Sequence, residues 1–203
     1  MGDLYIMGAM SQKTENPSRP LRADAQKNYE HLLDVAHAVF MKKGPDASME
    51  EIARKAEVGI GTLYRHFPTR TDLLQSVYAE QIEGLIARAY TLRDTLPPRE
   101  ALLAFLDAAA EHMMTYKALK ACLISAGEGT AKSHKQWAPR LYDAVGALLA
   151  AAEKAGVVRS GLEPMDLMKL IHAITVAAEK SPDSAAQVKR LLGIMTDGLV
   201  RKS

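Results

Sequence analysis

Ser48-Met49-Glu50-Glu51-Ile52-Ala53-Arg54-Lys55-Ala56, then Glu57-Val58-Gly59, then Ile60-Gly61-Thr62-Leu63-Tyr64-Arg65-His66-Phe67, reads as two short helices around a tight turn. Ser48 and Glu51 have capping-box spacing. The hydroxyl can accept from the Glu51 N–H while the carboxylate reaches back to the Ser48 N–H. Met49, Ile52, Ala53 and Ala56 share one apolar face, and Leu63 and Phe67, four apart, give the second helix its inward face. That leaves Thr62, Tyr64, Arg65 and His66 outside, with Gly61 letting the backbone come close to a partner. Two helices in this arrangement form a helix-turn-helix, whose second helix fits a major groove roughly 12 Å wide.

Working outward, Tyr29, Leu32, Leu33, Ala36, Val39 and Phe40 recur at helical spacing, predicting a helix from about Ala23 to the stop at Gly44-Pro45. Pro68 ends the second motif helix, and Thr69-Arg70-Thr71-Asp72 offers another capping box. The helix it opens is expected from about Arg70 to Arg93, with Leu73, Leu74, Val77, Ile82, Leu85, Ile86 and Ala89 inward. Beyond Pro97-Pro98, helical segments are expected near 99–116, 118–127, 136–155, 164–180 and 184–200. No stretch alternates as a strand would. The expectation is an all-α chain of about nine helices: an arm over 1–22, a helix-turn-helix domain over 23–70 with its motif at 48–67, and a larger helical domain over 71–203. One reading of Met1 to Met10 is a vector-derived leader.

Composition narrows the function. The 203 residues carry 26 Lys plus Arg against 24 Asp plus Glu, a net charge of +2, so a nucleic-acid surface has to be a local patch. Cys122 is the one cysteine, which excludes an internal disulfide and fits a reducing compartment. No apolar run reaches the roughly 18 residues a bilayer requires, so no membrane partner is expected and the cytoplasm, with the nucleoid, is the expected location.

The ordered set from Ala25 to Leu74 resembles the DNA-binding domain of the TetR family of bacterial transcriptional regulators: a first helix, Gly44, Ser48 to Ala53, Gly61 to Phe67, Arg70 and Asp72-Leu73-Leu74. The segments Ala151 to Gly156 and Asp197 to Leu199 resemble one branch of that family more faintly. The resemblance implies a homodimeric repressor whose C-terminal helical domain takes a small effector. It also implies that Glu50, Ile60, Gly61, Thr62, Tyr64 and Arg65 approach base edges, and that Ser48, Tyr64, His66 and Arg70 hold phosphates. The chain departs from the family in having Glu57 where the turn usually has Gly, Gly59 for a Ser cap and Arg70 for Lys. A left-handed Glu57 is expected to cost roughly 1 kcal/mol.

Other residues admit plainer readings. Phe67 fits the core, Arg54 and Lys55 a solvated face, and Arg19, Arg22 and Lys27 mobile surface charge. His31 and His37 fall on different faces of one helix, and His112 and His172 have no ligand partner at metal spacing, so neither metal nor cofactor is expected. No activated nucleophile, phosphate loop or carboxylate pair argues for an enzyme. Phe105, His112, Met113 and Tyr116 on one stripe, and Met168, His172, Thr175 and Glu179 on another, suit a partly apolar effector pocket between helices, and equally an ordinary core. Leu191, Leu192, Met195 and Leu199, with Leu170, Ile171 and Ile174, suit a two-fold interface through the last two helices, about 164–200. The rival to a repressor of a near-palindromic operator is a small-molecule sensor or carrier whose DNA-binding domain is vestigial.

Overall fold

The computed structural model describes residues 18–125 and 129–199. Among them the chain is all α, in the order α1 (Ser18–Lys43), α2 (Met49–Lys55), α3 (Ile60–His66), α4 (Arg70–Thr95), α5 (Pro98–Thr115), α6 (Lys117–Ser125), α7 (Gly129–Lys154), α8 (Pro164–Ala177) and α9 (Ser184–Leu199). Most of the expected arm and all of the leader lie outside the described residues. The part of the arm that is described, 18–22, is helical: α1 starts ahead of Ala23. Pro20 stands in its first turn, where a missing N–H leaves no hydrogen bond unmade. The seventh helix also starts early, at Gly129 instead of about 136, which puts Pro139 inside it.

The caps divide the two short helices from their neighbours. The Ser48 hydroxyl accepts from the Glu51 N–H at 3.2 Å, as the spacing requires. The return half of that capping box is not made. Glu51 turns instead to Lys43 at 2.6 Å and Lys55 at 3.3 Å, two cations that outcompete a neutral amide for its carboxylate. At Thr69 the box is complete, with Asp72 N–H to the Thr69 hydroxyl at 3.1 Å and Thr69 N–H to the Asp72 carboxylate at 2.9 Å.

Helix α2 ends in a Schellman motif. The Val58 N–H reaches the Ala53 carbonyl at 3.0 Å and the Glu57 N–H reaches that of Arg54 at 3.3 Å. The geometry requires a left-handed residue between, and Glu57 takes it at φ +56°, alone among the described non-glycine residues. Val58 then packs on the core, so the apolar contact that normally accompanies this motif is present.

Two hydrophobic cores result. The first gathers Leu32, Leu33, Ala36 and Phe40 of α1, Ile52 and Ala53 of α2, Leu63 of α3, Phe67, and Leu73, Leu74 and Val77 from the start of α4. The second takes Ile82, Leu85, Ile86 and Ala89 from the rest of α4, together with α5, α7, α8 and α9. The first core continues past residue 70, the expected division, as far as Val77 of α4. It also recruits Leu119 and Leu123 of α6, far along the chain. Tyr78 packs against both cores. Tyr116 joins them by hydrogen bonds: its hydroxyl donates to Gln81 Oε1 at 2.8 Å and lies 2.9 Å from His37 Nε2 on α1. With its one proton given to Gln81, the hydroxyl can only accept from His37, which fixes that proton on Nε2.

Candidate nucleic-acid interface

Helix α3 is held by its inner face. Leu63 is fully buried and Phe67 nearly so, while Tyr64 and Ile60 are 43% and 40% exposed on the other side. Gly61 and Arg65 are exposed beside them. The ring of Phe67 stacks on Tyr29 of α1 at 5.2 Å, tying the end of α3 to the first helix. This arrangement spends two side chains on anchoring and leaves a short rod whose outer face is exposed among the described residues.

Four of the six residues expected near base edges, Ile60, Gly61, Tyr64 and Arg65, lie on that open face. Thr62 is half-buried. Glu50 stands exposed at the start of α2, its carboxyl held below the usual range first by the Ser48 hydroxyl, then by its own N–H, and also by the Arg70 guanidinium. A carboxylate kept ionised there can accept from a cytosine amino group and repels phosphate. A methyl group added at Gly61 would meet nothing within 4 Å, so the free protein has room for it and only an approaching partner would be obstructed.

The expected phosphate contacts differ in how ready they are. Arg70, 41% exposed, has among the described residues only the loose partner Asp46 at 3.8 Å, itself almost fully in water. His66 is half-buried, edge-on to Tyr29 at 6.0 Å, so only part of its ring is available. The Ser48 hydroxyl is already engaged in both directions, accepting from the Glu51 N–H and donating to Glu50 Oε2 at 2.7 Å. Spacing could not reveal this, because Glu50 and Glu51 are interchangeable until the backbone fixes which one faces the hydroxyl.

The residues expected to line an effector pocket separate into three groups. Phe105 is fully buried and Met168 is 7% exposed, both in the second core, and neither borders the cavities beside α5; large apolar side chains on an inward stripe fill the core before they line a space. Met113, His172 and Thr175 border a cavity of about 590 Å³ between α5, α6 and α8. His112 and Tyr116 border another, of about 310 Å³, between α4 and α5. Burial, and then the Lys120 charge, pull the His112 imidazole down to about 4, and its Nε2 is buried with no hydrogen-bond partner among the described residues. Lys120 and Gln81, which also border these spaces, give no signal in the sequence beyond being polar residues on helices.

The expected interface stripe is also divided. Ile171, Leu192 and Leu199 are buried within the same chain, and Ile174, Leu191 and Met195 are partly so. The large apolar side chains that α8 and α9 present outward are Met165 and Leu170, each at 46%, Val176 at 53% and Ile194 at 70% exposure. Among the described residues no group of three or more His, Cys, Asp or Glu is placed to hold a metal ion, and no helix is long and apolar enough to cross a membrane.

Residues 32–77 match the family model described as bacterial regulatory proteins, tetR family, and residues 97–201 match that of the SbtR-like transcriptional regulator C-terminal domain. A TetR transcription regulatory protein from Mycobacterium vanbaalenii is 31% identical, with a TM-score of 0.71 over 90% of this chain and 100% of its own. A TetR transcriptional regulator from Streptomyces coelicolor is 32% identical, with a TM-score of 0.68 over 86% of this chain and 99% of its own. An HTH-type transcriptional regulator of Staphylococcus aureus is 30% identical over 105 residues, 51% of this chain. The chain spans 57% of the length of that curated relative.

Proposed function

Because this chain belongs to the TetR family of bacterial transcriptional regulators, we propose that it is a ligand-responsive homodimeric repressor of a near-palindromic operator. Its work is DNA binding and not catalysis, and it is carried out in the cytoplasm, at the nucleoid. The observation that carries this reading is the outer face of α3, where Ile60, Tyr64 and Arg65 stand exposed on a helix pinned by Leu63 and Phe67. Arg70 and His66 set register on the phosphates, and Tyr64, Arg65 and Thr62 help choose sequence. Ser48 joins them only by releasing Glu50.

A single helix of this length reads few base pairs, so two copies have to be mounted on a dyad, their half-sites about one turn of DNA apart. Leu170 and Ile194, which do not border the cavity, supply the self-complementary apolar surface for that dimer, bundling α8 and α9 with their mates. The rival reading, a sensor with a vestigial DNA-binding domain, leans on Glu57. That turn keeps both hydrogen bonds of its motif, so the rival loses its support.

The test is a footprint on the region upstream of the adjacent genes, with sedimentation of the complex. Two protected half-sites bound by two chains are expected. A single protected site bound by one chain, or no protection at low salt, refutes the proposal.

A further inference from the structure

The cavity between α5, α6 and α8 has an unbalanced charge. Its walls are mostly apolar, with Met113 and Met114 on α5, Ile124 on α6 and Val176 on α8. Among the described residues that line it, Glu179 is the one carboxylate, and it is taken by Lys117 at 3.1 Å. The side chain of Lys120, half-buried on the same helix as Lys117, has no ion pair or hydrogen bond among the described residues. The Thr175 hydroxyl has given its proton to the His172 carbonyl at 2.9 Å. Among the described residues the cavity therefore offers one unpaired positive charge and no unpaired negative one.

Resting on the ligand-responsive reading above, we propose that this cavity takes a small apolar acid, with its one anionic head group on Lys120 Nζ and its body against Met113, Met114 and Val176. The volume, about 590 Å³, is in the range that holds small-molecule ligands. A neutral guest that filled the apolar part would strip water from the ammonium and put nothing in its place, which is unfavourable. An acid replaces that water with a charge-assisted hydrogen bond. The electrostatics agree: burial holds the Lys120 ammonium below its ordinary range, and its charge helps lower both His112 and His172, so the three groups share one positive field.

The test is a fluorescence titration of the intact protein with two probes of the same aromatic body. One is 8-anilinonaphthalene-1-sulfonate, and the other is N-phenyl-1-naphthylamine, which lacks the sulfonate. The wild-type protein should bind the acid about tenfold more tightly or better, the worth of one hydrogen bond to a charged group. Lys120→Met should erase the preference and Lys120→Arg should keep it. Lys169→Met, which removes an exposed lysine on α8 outside the cavity, should change nothing. Equal affinities in the wild-type protein, or a preference that survives in Lys120→Met, overturn the proposal; the first comparison requires no variant to fold. Anisotropy of labelled operator DNA, read in the same titrations, keeps the two readings apart. Lys120-dependent acid binding without DNA release leaves the acid site standing and removes ligand control. Equal DNA release by both probes, whatever stands at 120, does the reverse.

Discussion

His112 should make the protein acid-sensitive, and replacing it with Phe should remove most of that sensitivity. In the folded chain the imidazole sits among Tyr78, Tyr116 and the Lys120 charge, and it is held down to about 4. In the unfolded chain it titrates near its ordinary value of about 6.5. Above that value neither state binds the proton, and the histidine adds no pH dependence. As pH falls from about 6.5 towards 4 the unfolded chain is protonated and the folded one is not, so stability is lost at up to about 1.4 kcal/mol per pH unit. Between pH 7.5 and pH 5 the loss comes to about 2 kcal/mol, and below 4 it levels off near 3. The measurement is urea unfolding of wild type and His112→Phe at several pH values and one protein concentration. The other titrating groups are common to both proteins and cancel in the difference. Phe keeps a ring of similar size and removes an Nε2 that has no partner, so the variant should be no less stable than wild type at pH 7.5. Parallel stability curves for the two proteins between pH 7.5 and 5 would refute the reasoning, since they would mean that His112 takes up its proton without unfolding.

Glu57→Gly should raise stability by about 0.5–1 kcal/mol, the relief of a left-handed backbone less the extra freedom glycine gives the unfolded chain; Gly156 fills the same position of the same motif after α7, and a fall in denaturation midpoint would count against the strain. Gly61→Ala should stabilise the free protein by about 0.5–1 kcal/mol through helix propensity yet weaken operator binding, because the added methyl meets only the DNA; unchanged affinity would show that the backbone stays clear of the groove. Arg70→Ala should weaken binding to every sequence and flatten the plot of log affinity against log salt by about one unit per subunit, and an unaltered slope would remove Arg70 from the phosphate contacts. Ile194→Asp should shift sedimentation from dimer to monomer with the helical circular dichroism retained, and a persisting dimer would move the interface off this face.

The helices and the reading face are legible because they depend on local rules. Capping residues, Gly-Pro stops and three- and four-residue spacing act within a turn or two of the chain, which is why α3 runs from Ile60 to His66 as expected; the left-handed Glu57 is legible only through the resemblance, which puts Gly at that turn. What spacing cannot show is which of two adjacent stripes faces a neighbour. Ile171 and Leu192, on a stripe that suits a partner chain, are buried at home, while Ile194, on the other side of α9, is the exposed one. Phe105, on a stripe that suits a pocket, fills the core for the same reason. Lys120 is invisible in the sequence because a lysine on a helix ordinarily lies in water. Only the packing of α5, α6 and α8 around it makes it the unpaired charge of a cavity.

That packing also bears on how occupancy of the cavity, as proposed, would reach the DNA. The fourth helix passes through both cores, with Leu73, Leu74 and Val77 in one and Ile82, Leu85 and Ile86 in the other, so a tilt of α4 is the obvious transmission. Helix α6 offers a shorter route. One of its faces gives Leu119 and Leu123 to the core that holds α3, and another gives Lys120 and Ile124 to the cavity. At its N-terminal end, the Tyr116 hydroxyl is fixed to both α1 and α4 through His37 and Gln81. A guest pressed against α6 would thus act directly on the core that carries α3. Close-packed interiors transmit such a push because they have little free volume to absorb it. The push becomes regulation only if the guest fits one spacing of the two reading heads better than the other, and a difference of about 1–3 kcal/mol in its binding, roughly 5- to 150-fold, is the usual scale of such coupling.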